Sequence, residues 1–371
     1  MATILQRRDV VRKLRLAGLM MALMASGTAL AVDFGASGTG GGMGRSPNEL
    51  NFLDILAIVQ RQVNAISAAQ KNAYEEKEAA RDSRLDALRE MNAAKANQDQ
   101  AKKEQKRAET AQGNAEDTQS QAELASKNAE VYKQQANSYS YKAGGEAATA
   151  ILESQGGNKD VYDAAKAAAV DAAQDAQNYA DASFQEGLSS QMYSEVAKAQ
   201  GEISGAALGA ARTASEAADV HDANARNAAQ QTAIHSATAQ KDLQQAQENL
   251  TVLENLIKSI DRSKLSDTQK QQVDTKLAEA KNLLQHAAAD AAIARQLNTV
   301  AAQNAAEAKA AADQAAAARN AAMAADAKAN QAAAAAVLAA NQAATAFGEA
   351  ANIAQEATNI VNSIPAYSPS K

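Results

Sequence analysis

The sequence predicts an all-α protein, an elongated coiled coil or long antiparallel three-helix bundle, alanine-rich, with flexible ends. Three observations predict it. The only prolines among 371 residues are Pro47, Pro365 and Pro369, so the long middle has none. Proline in a helix interior costs about 3 kcal/mol. About a quarter of the chain is alanine, the strongest helix former. Trp is absent, and there are only 4 Phe and 8 Tyr. The apolar content is therefore mostly methyl groups, each worth about 0.8 kcal/mol when buried. A thick core cannot be built from them, whereas a thin, close-packed helical rod can.

Residues 1–31 read as an export signal. Arg7, Arg8, Arg12, Lys13 and Arg15 form a basic start, and an apolar stretch follows from Leu16 to Met24. Ala29-Leu30-Ala31 has the small-x-small form of a cleavage site, which makes Val32 the first mature residue. The apolar run is shorter than the roughly 20 residues a bilayer span needs. Arg7-Arg8-Asp9-Val10-Val11-Arg12 resembles a twin-arginine signal, although the spacer is acidic and the valines are small. A general secretory signal fits as well. Residues 32–47 are glycine-rich and read as a flexible tether.

The first long helix is expected over 48–142, entered through Ser46-Pro47-Asn48-Glu49. Its apolar entry includes Phe52, Ile55, Leu56, Val59 and Val63. From Phe52, Val59 and Ile66 a seven-residue ladder runs through Ala73, Ala80 and Ala87 as far as Ala143. A sustained heptad is the mark of a left-handed coiled coil. The second seam position is polar at Gln98, Gln105, Gln112 and Gln119, so the seam is narrow. Gly144-Gly145 after Ala143 reads as a helix stop. With Gly156-Gly157 it sets a connector over 143–158.

The second helix is expected over 159–260. Gly187, Gly201, Gly205 and Gly209 weaken it, each by about 1 kcal/mol relative to alanine. Its last part, Ala239 to Ile260, alternates steps of four and three. Residues 261–265 form a tight turn. Ser266 and Gln269 then match a capping box that opens a third helix over 266–362. Steps of four and three from Val273 describe that helix, interrupted at Asn298, Arg319 and Asp326. Residues 363–371 read as a disordered tail. Three helices of nearly equal length fold up-down-up.

Function classes follow by exclusion. A net charge of −6 does not suggest a nucleic-acid binder. No cysteine is present, so disulfides and thiolate sites are ruled out. His221 and His235 share a helix face, and His286 lies on the next helix. A metal needs three or four converging ligands, and no metal site is expected. No residue reads as catalytic, and no cofactor is expected. Ala31 and Val32 are the cleavage candidates. The interaction candidates are Phe52, Ile55, Leu56, Val59 and Val63 at the entry, and Gly201, Gly205 and Gly209 in the second helix. The Gly201–Gly209 row suggests close helix contact or a hinge, with membrane insertion as a weaker reading. The Tyr132–Tyr193 aromatics suggest packing across the first hairpin.

The expected function is an exported structural or scaffold protein, a helical rod in the periplasm or outside the cell. It would associate with itself or with other envelope proteins through helical packing. A pore-forming or membrane-interacting secreted effector is a second class. An accessory of an envelope secretion or conjugation machine is a third.

Overall fold

The computed structural model describes residues 52–369. The export signal, its Ala31–Val32 junction, the tether and the expected helix start at 48–51 lie outside the described residues. Three long helices follow in order: α1 (Phe52–Glu153), α2 (Lys159–Ser259) and α3 (Asp267–Asn362). A short 3-10 turn, Arg262–Lys264, joins the last two. At 1.5 Å per residue each helix is about 145–155 Å long. Each helix packs against both others. With antiparallel hairpins, α1 and α3 run parallel and α2 runs against them.

The core is built from three seven-residue ladders. Every seventh residue from Val59 to Ala150 in α1 is buried, as is every seventh from Tyr162 to Leu253 in α2 and from Val273 to Ala357 in α3. The ladders meet level by level: Ala80 with Ala239 and Ala294, Ala94 with Ala225 and Ala308, Ala108 with Ala211 and Ala322, Ala122 with Ala197 and Ala336. A methyl at each of these meeting points lets three backbones approach closely, and a strict period of seven keeps the same stripe inward. Larger side chains fill the α1-entry end, where Val59, Val63, Ile66, Leu253 and Val273 are buried.

In α3 the steps of four and three hold at Ala291, Ala305, Ala312 and Ala354, which are buried beside the seven-residue ladder, but not along the whole helix. Asn298, Arg319 and Asp326 each stand four residues after a ladder alanine, on one flank and only half-buried. The ladder itself is unbroken. Burial moves to the opposite flank, at Ala311, Ala318, Ala325 and Ala332.

Two boundaries differ from the sequence reading. Helix α1 does not stop at Lys142 but passes through Gly144 and Gly145 to Glu153. Ala143, Ala147 and Ala150 remain fully buried there, and this packing outweighs the helix penalty of two glycines. The connector is therefore only Ser154–Asn158. Its turn is made by Gly156, the one described glycine with positive φ, at 90°. Asn158 then caps α2, its side chain accepting from the N–H groups of Asp160 and Val161. The tail is also not loose where it is described. Ile364 is buried, and the Tyr162 hydroxyl donates to the Pro365 carbonyl at 2.8 Å. The Tyr367 hydroxyl donates to Gly157 O at 2.7 Å, and Ser368 N–H donates to Ser154 O at 2.8 Å. The α1–α2 turn leaves these carbonyls without helical partners, and the tail supplies the donors. The Ser266–Gln269 capping box forms as expected.

Candidate functional site

The entry of α1 divides between core and surface. Ile55, Val59 and Val63 are buried in the bundle, whereas Phe52 and Leu56 are half-buried. Three of the five interaction candidates are thus used inside the protein. Leu53 is 72% exposed. With Leu56 and Gln60 it lines an open groove of about 580 Å³ against Thr268, Gln272 and Thr275 of α3.

The glycine row does not form one contact stripe. Gly201 is buried, and a Cβ there would stand 3.0 Å from Asn330 Oδ1. It serves close approach of α2 to α3. Gly205 and Gly209 are exposed, and a Cβ on Gly209 would meet nothing within 4 Å. Successive steps of four rotate away from a seam that repeats every seven. A second groove of about 380 Å³ opens between α2 and α3 beside Phe184 and Phe347, whose ring centres are 4.7 Å apart. The expected aromatic packing across the first hairpin is present: Tyr179 of α2 stacks with Tyr132 and Tyr139 of α1 at 6.3 and 5.4 Å.

The α1–α2 seam carries polar clasps. His221 Nδ1 lies 2.7 Å from Glu90 Oε2, and His235 Nδ1 lies 2.7 Å from Glu76 Oε2. Both pairs stand three residues past ladder positions on each helix, so one geometry repeats two heptads along. Equal spacing of Glu76–Glu90 and His221–His235 was the signal for the clasps. It becomes readable only once the antiparallel register is known. Asp242, one heptad beyond His235, is buried. Burial pushes its carboxyl up to about 6, and the Glu76 carboxylate adds to the shift against the opposing charge of Lys241.

Across the α1–α3 seam Lys77 Nζ donates to Asp290 at 2.9 Å. Burial opposes its charge, yet Asp290 and Glu78 hold the ammonium above its ordinary value. Further along, Lys133 bridges Glu130 at 2.6 Å and Glu349 at 3.0 Å, and these hydrogen bonds raise its pKa. Inside the core, the Ser183 and Ser190 hydroxyls of α2 donate to Ala129 O and Ala122 O of α1 at 3.0 and 2.9 Å.

Chemically, these arrangements fasten helices to one another. Among the described residues no three His, Cys, Asp or Glu side chains converge on a position that could hold a metal ion. No described helix is long and apolar enough to cross a membrane. No family model matches the chain, and no curated protein matches it.

Proposed function

We propose that this chain is an exported, non-enzymatic structural protein, a helical rod that self-associates or holds partners at a fixed distance in the cell envelope or outside the cell. One observation supports this best: three uninterrupted small-residue ladders run the length of the described helices. Such a core spends nearly the whole chain on length rather than on a cavity. Substrate sites are concave and mostly enclosed. The two grooves described above are open and lie on the outside of the bundle. Polar clasps set register between helices, as buried polar groups do in coiled coils.

Export rests on the basic, apolar and small-x-small segments of residues 1–31. The chain has no cysteine, so an oxidising compartment would neither stabilise nor damage it through thiol chemistry.

Small-angle scattering of the purified chain tests the rod. A maximum dimension near 150 Å, with the cross-section of three helices, is expected. A compact particle of about 50 Å would overturn it. Fractionation of cells making the full chain tests export, which requires a shortened product outside the cytoplasm. Retention of the full-length chain in the cytoplasm would remove that part of the reading.

A further inference from the structure

We propose that two copies of this chain pair in parallel through a second seam on the outer flank of α2, running from Ser189 to Thr238. The inference rests on the reading of the rod as self-associating, and it adds the face, the direction and the register. The seam positions stand one residue before and two residues after each ladder position of α2. At about 100° per residue, both positions fall on one side of the helix, turned away from the buried line. Steps of three and four lead through Met192, Val196, Ile203, Val220 and Ile234, and only Ala, Ser, Thr, Asn or Gln stands between them. These five are open to solvent, from 36% at Ile203 to 66% at Met192. No position on this line is charged, although 22% of the chain is. Covering it requires no ion to be stripped of water.

A line that repeats every seven residues stays in contact along its length only with another of the same period. A second copy supplies one by construction. The seam spans about 75 Å and a helix is about 10 Å wide. It can cover on the order of 700 Å² per copy, close to the roughly 800 Å² of a standard stable interface. On α2 the residues three past each ladder position face α1, His221 and His235 among them. The seam runs just outside these, and Asn224 on its line donates to Glu90 of α1 at 3.3 Å.

The two edges of the seam differ in charge, and this difference determines the direction. The edge away from α1 carries Glu195, Glu202 and Glu216, the last also holding Arg212 at 2.9 Å. The edge towards α1 carries Gln200, Ala207 and His221. In a parallel pair, with its two-fold axis along the rod, unlike edges meet. Each acid of one copy then lies beside Gln200, Ala207 or His221 of the second copy. In an antiparallel pair like edges meet. Centred on Ala206, it would set Glu195 close to Glu216 of the second copy, twice by symmetry. Shifting the centre to lie between Ala210 and Thr213 avoids that contact but sets Met192 against Gln231 and Val196 against Asn227. Parallel pairing in register sets each apolar residue against its own counterpart.

The experiment uses the full chain, which has no cysteine of its own. Met192→Cys and Val220→Cys are each expected to give disulfide-linked dimers on mild oxidation, because each thiol meets itself across the axis. Met323→Cys, exposed on α3, is expected to give few. Ile203→Lys puts a charge into the seam and should weaken the dimer at least about tenfold in sedimentation equilibrium. Leu338→Lys, exposed on α3, should leave it within about twofold. Circular dichroism confirms that each variant is folded. A wild-type chain that stays monomeric at every concentration overturns both this pairing and the self-association beneath it. Cross-linking that needs Met192→Cys and Val220→Cys chains to be mixed overturns the parallel direction. A dimer that cross-links as readily at 323, or that ignores Ile203→Lys, overturns this seam and leaves self-association through another face.

Discussion

Individual positions in this protein differ sharply in what they tolerate, and the backbone explains the difference. Gly156 has a φ of 90°, and a Cβ on Gly157 would lie 2.9 Å from the Glu153 Cα. Alanine at Gly156 is expected to cost about 1–2 kcal/mol through the left-handed backbone alone. Gly209 is the opposite case. It sits inside α2 with open space around it, so Gly209→Ala should stabilise by about 0.5–1 kcal/mol. Thermal unfolding followed at 222 nm measures both, and shifts of equal sign would contradict the assignment. The buried serines divide in the same way. Ser190 donates across to Ala122 O, so Ser190→Ala should cost about 1 kcal/mol. The Ser204 hydroxyl is buried with no hydrogen-bond partner. Ser204→Ala should therefore be neutral or stabilising, because it removes a polar group that burial penalises.

At the scale of elements, the ladders carry the fold, and they are sensitive to volume. Ala108 meets Ala211 and Ala322 in one cluster, where three backbones come together around methyl groups. Ala108→Leu is expected to force the helices apart locally, at a cost of about 1–3 kcal/mol. Leu at the exposed Ala334 should leave stability unchanged within about 0.5 kcal/mol. Urea titrations of the two variants compare them directly, and equal midpoints would show that the ladder is not tightly packed. The α1 ladder was legible in the sequence because Phe52, Val59 and Ile66 announce its phase before the alanines begin. The α3 ladder was legible from Val273 to Ala315 and again from Ala350, but its middle and its second buried flank were not, because alanine also fills the outer face there and residue type alone no longer separates inside from outside. Gly144-Gly145 looks like a stop only if the packing of Ala147 and Ala150 beyond it is ignored. Pro365 ends α3 as it should, but the docking of Tyr367 depends on carbonyls presented by a turn more than 200 residues away in sequence. For the same reason the entry residues Ile55, Val59 and Val63 read as a contact surface in the sequence and turn out to be core. Apolar character does not reveal which neighbour will cover it.

Within the described bundle, one group of the polar seam contributes a pH dependence opposite to the usual acid sensitivity of salt-bridged proteins, and opposite to that of Asp261, whose carboxyl is lowered by its hydrogen bonds to Ser263. Asp242 has its carboxyl raised to about 6 by burial, with the Glu76 carboxylate adding to the shift. Its unfolded value lies near 4. The folded chain therefore holds a proton that the unfolded chain has released across this interval. Stability from this group is complete below about pH 4, declines as pH rises towards 6, and is absent above that. Allowing for screening by water and salt, the loss amounts to about 1–2 kcal/mol. Asp242→Asn keeps the shape and removes the titration. It should raise the unfolding midpoint at pH 7.5 while leaving it unchanged near pH 4, so the two curves converge on the acid side. Glu76→Gln should move the wild-type curve the same way but less far, since burial is the larger cause, and it also alters the contact with His235. A wild-type chain whose stability falls steadily from pH 7 to pH 4, with Asp242→Asn falling in parallel, would show that Asp242 is ionised in the folded state. The α1–α2 seam would then be held by charge rather than by a proton.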